Sequence, residues 1–155
     1  MTEKTLLIVA HAPSDNTRRL VESILTGARQ ASGDTVEVIF KAPLEATPAD
    51  VLAADAIVLG TTENLAYMSG ALKDFFDRCY YPVLEKKQGL PCAAFIRAGQ
   101  DGTGTCRAIQ SIVTGLRWSW VQEPLILKGQ WDAGFLDQVE ELGKFMAAAL
   151  DSGII

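Results

Sequence analysis

The sequence has few of the residues on which metal sites and disulfide frameworks depend. It has one histidine, His11, and three cysteines that lie far apart, Cys79, Cys92 and Cys106. A single histidine leaves no cluster of imidazole ligands for zinc or another transition metal. An odd number of widely spaced cysteines argues against a disulfide framework and favours a reducing cytoplasm as the location. The sequence therefore predicts no metal site, and cysteines that serve as core residues.

Long apolar runs and a surplus of positive charge are also missing. No run approaches the ~20 apolar residues that a membrane-spanning helix needs. The amino terminus leads into a predicted strand without the basic region or cleavage site of a signal peptide. The formal net charge of -5 argues against the basic face of a nucleic-acid binder. We therefore expect no membrane span and no nucleic-acid partner.

What is present is the composition of one ordinary globular domain. The 155 residues are 48% apolar and 21% charged, which is enough to bury one good core. No repeat, low-complexity segment or linker divides the chain. We predict a single domain over residues 1–155.

Apolar runs of strand length recur along the chain. The runs at Thr5–Ala10, Ala56–Gly60 and Cys92–Ile96 are typical of strands that are covered on both faces. Two further strands carry the marks of sheet edges. Thr35–Phe40 has one more polar face, and the strand within Trp118–Leu127 is interrupted by a proline.

Helical periodicity fills the intervals between these strands. In the third helix the buried stripe begins at Met68 and continues through Leu72 to Cys79, and Asp74 and Arg78 form an i,i+4 pair on the polar side. The last helix directs one apolar set to the core: Phe135, Val139, Leu142, Phe145, Met146 and Leu150.

Alternating strands and helices predict a three-layer, doubly wound α/β fold with a five-stranded parallel sheet. The two strands with edge marks must lie outside the three apolar strands, which gives the strand order 2-1-3-4-5. In this order the winding reverses between strands one and three. A ligand crevice is therefore expected there, at the carboxyl ends of the strands.

The first polar loop leaves the sheet at this crevice. Ser14–Thr17 offers hydroxyl, amide and backbone N–H donors that suit a phosphate monoester at a helix end. Arg18 and Arg19 follow in the first helical turn, where cations oppose the helix dipole unless an anion is bound. The alternative is that Ser14 or Asp15 only caps the helix and both arginines face water. The residues alone leave both interpretations open.

Two more polar loops follow strands three and four. In the second loop Leu65 and Tyr67 can line a flat ring, whereas Met68 either joins them or is the first core residue of its helix. Glu63 and Asn64 can equally be solvent-facing loop residues. His11 is either a phosphate partner or a strand-end residue bonded to the backbone. No side chain in the three loops is assigned a catalytic role, because no acid, base or nucleophile stands out.

Two stretches resemble a known family. His11–Leu20 resembles the phosphate loop of flavodoxin-like proteins. Gly60–Arg78 resembles the second flavin loop and helix of the NAD(P)H-dependent FMN reductase and quinone reductase branch of that superfamily. Its Met-Ser-Gly…Lys…Phe…Asp-Arg run is the most specific part. The resemblance covers essentially the whole chain and implies the flavodoxin-like fold.

The resemblance implies FMN as the cofactor, NAD(P)H as the electron donor and a quinone or similar acceptor, with the redox chemistry carried by the flavin. It places the phosphate on Ser14–Thr17 and the isoalloxazine ring between Thr62–Met68 and Ala98–Gly102. The alternatives are a flavodoxin-type electron carrier without a substrate of its own and a flavodoxin-like module that has lost FMN. The implied cofactor-binding residues are His11, Pro13, Ser14, Asp15, Asn16, Thr17, Thr61, Thr62, Glu63, Asn64, Leu65, Tyr67, Met68, Ala98, Gly99, Gln100 and Gly102.

Four residues depart from what the family or a flavin site favours, and one of them is Thr62, which stands where the second loop often has proline. Asp15 stands where the family usually has glycine and His11 where it has serine or threonine. The carboxylate of Asp15 repels a phosphate unless it points away, and Glu63 beside a flavin disfavours an anionic reduced ring. Related enzymes pair subunits across the flavin pocket, so a homodimer is a further expectation. The aromatic residues that either serve such an interface or pack internally are Tyr80, Tyr81 and Trp131.

Overall fold

A parallel sheet with helices on both faces forms the framework of the computed structural model, which describes residues 3–155. The elements in chain order are β1 (Lys4–Ala10), α1 (Asp15–Gln30), β2 (Val36–Lys41), α2 (Pro48–Ala53), β3 (Ala56–Asn64), β4 (Tyr67–Met68), α3 (Gly70–Val83), β5 (Pro91–Ala98), α4 (Thr103–Leu116), β6 (Ser119–Trp120), β7 (Leu125–Lys128) and α5 (Gly134–Ser152). The sheet order is β2-β1-β3-β5-β6, and β7 also pairs with β5. The fourth predicted strand is β5, and the fifth corresponds to β6 and β7. The predicted order 2-1-3-4-5 is therefore confirmed.

The fifth predicted strand is divided into two short pieces. β6 pairs with the start of β5 and β7 with its end, both in parallel. Pro124 immediately precedes β7, where the ladder is interrupted and no N–H donor is needed. The edge position is as predicted, whereas the single continuous strand is wrong.

The sheet separates two apolar cores. Leu6 and Ile8 of β1 face the core under α1 and α5, and Leu7 and Val9 face the core under α2, α3 and α4. All four side chains are buried. Because the middle of a central strand is covered on both faces, its consecutive positions are apolar, which explains the continuous runs in the sequence.

Helices α1 and α5 approach each other so closely that their contact is built on glycine. A Cβ atom at Gly27 would lie 2.1 Å from the carbonyl oxygen of Glu140, and one at Gly143 would lie 2.3 Å from that of Ile24. No larger residue fits at either position without separating the helices. The contact fixes the middle of α5 against the second half of α1.

Two predicted core positions differ in the structure. Phe145 is 45% exposed, so its predicted place in the core is wrong, although the other five apolar residues predicted on α5 are buried. Met68 is buried as a core residue but lies on β4, because Ser69 caps α3 by accepting a hydrogen bond from the Leu72 N–H at 3.1 Å. The helix therefore starts two residues after the apolar stripe does.

The cysteines are free thiols. Cys79 and Cys92 are buried, and Cys106 is partly buried. Burial raises the pKa of Cys79 to about 11 and that of Cys92 to about 12. Within residues 3–155, no group of histidine, cysteine, aspartate or glutamate side chains is placed to hold a metal ion, and none of the helices is both long and apolar enough to cross a membrane.

Candidate functional site

Three loops meet at the carboxyl ends of the central strands. They are residues 11–14 between β1 and α1, the β3–β4 hairpin with its flanks at residues 61–69, and residues 99–102 between β5 and α4. β1 and β3 stay paired up to Ala10 and Gly60, and β3 and β5 up to Thr62 and Arg97. The three loops therefore start from one edge of the sheet, at the point where the winding reverses.

The first loop ends in a capping box. The Oγ of Ser14, the N-cap of α1, accepts a hydrogen bond from the Thr17 N–H at 3.2 Å, and the Thr17 Oγ1 accepts one from the Ser14 N–H at 2.9 Å. The predicted cap at Ser14 is confirmed. The N–H groups of Asp15 and Asn16 lie in the first turn, where a helix has no carbonyl group to offer them. The Thr17 hydroxyl donates to the Ser14 carbonyl oxygen at 3.0 Å, whereas the Ser14 hydroxyl and the free N–H groups form a donor set suited to a phosphate.

The carboxylate of Asp15 is paired rather than free. It accepts a hydrogen bond from the Arg18 guanidinium in an ion pair, and 94% of the Asp15 side chain is exposed. Asp15 is the first residue of α1 and is not among the residues with positive φ. Aspartate in place of the usual glycine therefore has no conformational cost here, and its charge is balanced locally.

His11 directly follows β1 and borders a groove beside this loop. Its backbone N–H donates to the carbonyl oxygen of Gly60 at 3.0 Å, as the strand-end interpretation predicts. Partial burial lowers the pKa of the imidazole and so favours its uncharged form. The ring borders a groove of about 450 Å³ that lies between α1 and β2, with Arg18 and Phe40 among the lining residues.

The second loop is a tight hairpin with an unusual turn. Asn64 pairs with Tyr67 and Glu63 with Met68, which leaves Leu65 and Ala66 as the two turn residues. Their φ angles are 52° and 63°, in the left-handed region that favours glycine. The Leu65 side chain is fully exposed. A strained, apolar turn thus projects at the rim of the three loops.

A single carboxylate ties the second loop to the third. The Oε1 of Glu63 accepts a hydrogen bond from the Gln100 N–H and its Oε2 accepts one from the Gly102 N–H, both at 2.9 Å. The Thr105 hydroxyl donates to the carbonyl oxygen of Tyr67 at 2.9 Å. We call these three hydrogen bonds the loop clasp. The Glu63 carboxylate is thus bound by backbone N–H groups of the third loop, although its side chain stays partly exposed.

A glycine allows the clasp to close. A Cβ atom at Gly104 would lie 2.2 Å from the carbonyl oxygen of Ala66, so only glycine lets α4 approach the hairpin. Gly104 and Thr105 are absent from the predicted site. Both lie in the first turn of α4. The surrounding sequence predicts the start of a helix there and gives no sign of a contact with the hairpin.

The side chains of the second loop divide into inner and outer sets. The Thr61 hydroxyl is buried, where it accepts from the Ser69 N–H at 2.9 Å and donates to the Thr62 carbonyl at 2.8 Å. Met68 packs in the core under α3 and α4. These two predicted site residues support the loop from within. The outer, partly or fully exposed predicted residues of this loop are Thr62, Glu63, Asn64, Leu65 and Tyr67.

The third loop presents backbone more than side chains. Ala98 is buried at the end of β5, whereas Gly99 and Gln100 are exposed. A Cβ atom at Gly99 would meet nothing within 4 Å, so the space beside the Gly99 Cα atom is open. Gly102 has a φ of 73° and a Cβ atom there would lie 2.8 Å from the Ile126 side chain. The loop therefore requires glycine at residue 102 for its shape.

Comparison with known families identifies the chain. The NADPH-dependent FMN reductase family matches residues 20–132, which include the second and third loops. The chain belongs to this family. The match begins after the first loop, so the donor set at Ser14–Thr17 stands on the structure and on the resemblance noted above.

The chain is also similar in sequence to a flavodoxin. A flavodoxin from Aquifex aeolicus (strain VF5) is 33% identical over 111 residues, which are 72% of this chain and 59% of that protein. The chain thus aligns with less than two thirds of the length of that relative.

Solved structures show the flavodoxin-like fold. A flavodoxin from the domain Archaea superposes with a TM-score of 0.76 at 21% identity, over 92% of this chain and 96% of that one. A flavodoxin, WrbA-like protein from Agrobacterium tumefaciens has a TM-score of 0.67 at 17% identity, over 94% and 96%. Rubredoxin oxygen:oxidoreductase from Desulfovibrio gigas has a TM-score of 0.75 at 13% identity, over 99% of this chain and 37% of that one. These likenesses show that the chain has the flavodoxin-like fold.

Proposed function

We propose that this protein binds FMN at the three loops and uses it to take hydride from NAD(P)H and reduce a quinone or similar acceptor. One observation carries the proposal. In a member of the FMN reductase family, a phosphate-type donor set at Ser14–Thr17 lies beside two mutually tied loops at the reversal point of the sheet. When bound, FMN supplies the two-electron redox chemistry.

The donor set fits the phosphate end of FMN. The Ser14 hydroxyl, the amide of Asn16 and the free N–H groups of the first turn of α1 would hold the phosphate, and Thr17 would fix the loop from within through its hydrogen bonds to Ser14. The groups that would hold the phosphate are hydrogen-bond donors, and a dianion at a helix N-terminus is favoured by the helix dipole. Asp15 does not oppose this, since its charge is paired with Arg18.

The second and third loops would border the isoalloxazine ring. Residues 62–67 supply the outer surface of the hairpin, and Gly99 leaves open space at the facing edge. Glu63 would act by holding the third loop in place, since both of its carboxylate oxygens are occupied by N–H groups of that loop. Thr61 and Met68 would support the hairpin from the interior. The contribution of the protein is thus binding and orientation, and no side chain is assigned proton transfer.

Two measurements on the purified protein test the proposal. FMN titration should quench flavin fluorescence with saturation at micromolar protein. Anaerobic addition of NADPH or NADH to the FMN complex should then bleach the visible flavin band within the mixing time or seconds, and a quinone should restore it. A complex that NAD(P)H does not bleach would contradict the reductase activity.

The identity with the Aquifex aeolicus flavodoxin favours a second candidate, an electron carrier without a substrate of its own. In that case NAD(P)H alone leaves the flavin oxidised, and bleaching requires a partner reductase. If micromolar protein leaves flavin fluorescence unchanged, the module has lost FMN, and both functions are excluded.

Subunit pairing stays a prediction. Of the three aromatic residues named for an interface, Tyr81 is 79% exposed and is available to a second copy, whereas Tyr80 and Trp131 are partly buried. Sedimentation of the wild-type protein and of Tyr81→Ser tests it, because a dimer that uses this face should weaken in the variant.

A further inference from the structure

Two arginines converge on one indole ring beside the first turn of α1. The Cζ atoms of Arg19 and Arg97 lie 5.6 Å and 5.8 Å from the ring centroid of Trp131. Arg97 also lies 5.1 Å from the ring centroid of Phe135, against which Trp131 packs edge-on at 5.6 Å. Cation–π contacts hold guanidinium groups in place. We call these four residues the arginine–tryptophan cluster.

The two positive charges of this cluster have no ion-pair partner in the part of the chain that the structure describes. Among residues 3–155, neither Arg19 nor Arg97 forms an ion pair, whereas the neighbouring Arg18 pairs with Asp15. Arg97 donates instead to the carbonyl oxygens of Ala98 at 2.8 Å and Leu127 at 3.1 Å. Like charges at one ring repel each other. In a chain with a net charge of -5, two unpaired cations at one place indicate a position for an anion.

Asn16 connects the cluster to the donor set of the first loop. The Arg19 guanidinium donates to the Asn16 Oδ1 at 3.4 Å. Because the amide oxygen receives this contact, the NH₂ group of Asn16 is left to donate elsewhere. Asn16 lies in the first turn of α1, so its NH₂ group, the free N–H groups and the Arg19 charge lie at the same helix end.

We propose that Arg19 and the amide of Asn16 bind the phosphate of FMN as a unit, and that Trp131 and Arg97 are positioning residues for Arg19. The inference rests on the proposed function and extends the FMN site to the segment between β7 and α5, outside the three loops. The inference predicts that Arg19 contributes only to the binding of ligands that carry a phosphate group. Riboflavin, which is FMN without the phosphate group, gains nothing from Arg19.

The test compares FMN and riboflavin binding by fluorescence titration. Arg19→Gln should weaken FMN binding about tenfold and riboflavin binding less than about twofold. Trp131→Leu, which removes the ring under Arg19 but keeps its charge, should also weaken FMN selectively. Arg29→Gln is the matched control, because Arg29 is an exposed residue of the last turn of α1. It should leave both affinities unchanged, and circular dichroism checks that each variant is folded.

Inorganic phosphate provides a second readout that does not depend on the flavin. Phosphate should raise the melting temperature of the wild-type protein and of Arg29→Gln more than that of Arg19→Gln. If the wild type fails to bind FMN but keeps this difference, the proposed function fails and the anion site stands. Equal loss of FMN and riboflavin affinity in Arg19→Gln, or equal behaviour of Arg19→Gln and Arg29→Gln, would overturn the inference.

Discussion

At the scale of single residues, the charge that a phosphate meets depends on one ion pair. Asp15 and Arg18 face each other across the first turn of α1 and balance each other. If either is removed alone, the remaining charge lies next to the donor set. A remaining carboxylate should then weaken anion binding, and a remaining guanidinium should not weaken it.

A double-mutant cycle tests this balance. Arg18→Gln should weaken FMN binding by about two- to fivefold because the Asp15 carboxylate becomes unpaired, whereas Asp15→Asn should leave it unchanged or strengthen it. The double variant should return close to wild-type affinity. Added salt should shrink all these differences. Weaker binding in Asp15→Asn would show that the carboxylate supports the loop in another way.

The buried thiols predict a pH dependence of stability. Burial raises the pKa of Cys92 from 9.0 to about 12. Between these values the unfolded chain loses the thiol proton and the folded chain keeps it, so stability falls as pH rises above 9. The slope is about 1.4 kcal/mol per pH unit for each such thiol. Urea denaturation of the wild type and of Cys92→Ala between pH 8 and 11 checks this, and the decline should be shallower in the variant.

At the scale of elements, the β3–β4 hairpin keeps alanine in a conformation that suits glycine. Ala66→Gly should raise the free energy of unfolding by about 0.5–1 kcal/mol, because it removes the left-handed strain of a residue with a Cβ. Ala148→Gly, on an exposed face of α5, should instead lower it by about 1 kcal/mol. Urea denaturation measures both. A destabilised Ala66→Gly variant would mean that the Ala66 Cβ packs usefully against α4.

The loop clasp predicts the effect of a nearly isosteric change. Glu63→Gln keeps one acceptor oxygen but sets an NH₂ group against a backbone N–H, so one hydrogen bond is lost and an N–H group is left unsatisfied. We expect about 1–3 kcal/mol lower stability and faster amide exchange at Gln100 and Gly102. Glu141→Gln, which affects only an exposed pair with Lys144, serves as the control. Unchanged exchange at both amides would contradict the clasp.

At the scale of the whole molecule, the contact of α1 with α5 predicts that a substitution at Gly27 is costly, whereas the same substitution at Gly70, the first residue of α3, is not. Gly27→Ala should lower the free energy of unfolding by about 1–3 kcal/mol, because the new methyl group meets the Glu140 carbonyl. Gly70→Ala, where a Cβ atom meets nothing within 4 Å, should be neutral or stabilising by up to about 1 kcal/mol. Thermal and urea denaturation of both variants check the difference.

The strand order could be predicted from the sequence because a strand that is buried on both faces has a continuous run of apolar residues. Continuous apolar runs identified the central strands, and the proline before β7 identified the edge. The hairpin was not accessible, since Leu65 and Ala66 are poor turn residues and carry no turn signal. The loop clasp joins Glu63 to backbone groups 37 and 39 residues away. Such long-range partners have no periodic signature, and for the same reason the place of Trp131 beside Arg19 could not be predicted.

The glycine contact between α1 and α5 limits how this protein can change. At residues 27 and 143 the obstacle is a backbone carbonyl of the other helix, so no replacement of a neighbouring side chain can make room for an added methyl group. Both positions should thus resist substitution in any descendant that keeps this helix spacing. Their tolerance in a saturation mutagenesis library would be far lower than their distance from the three loops suggests.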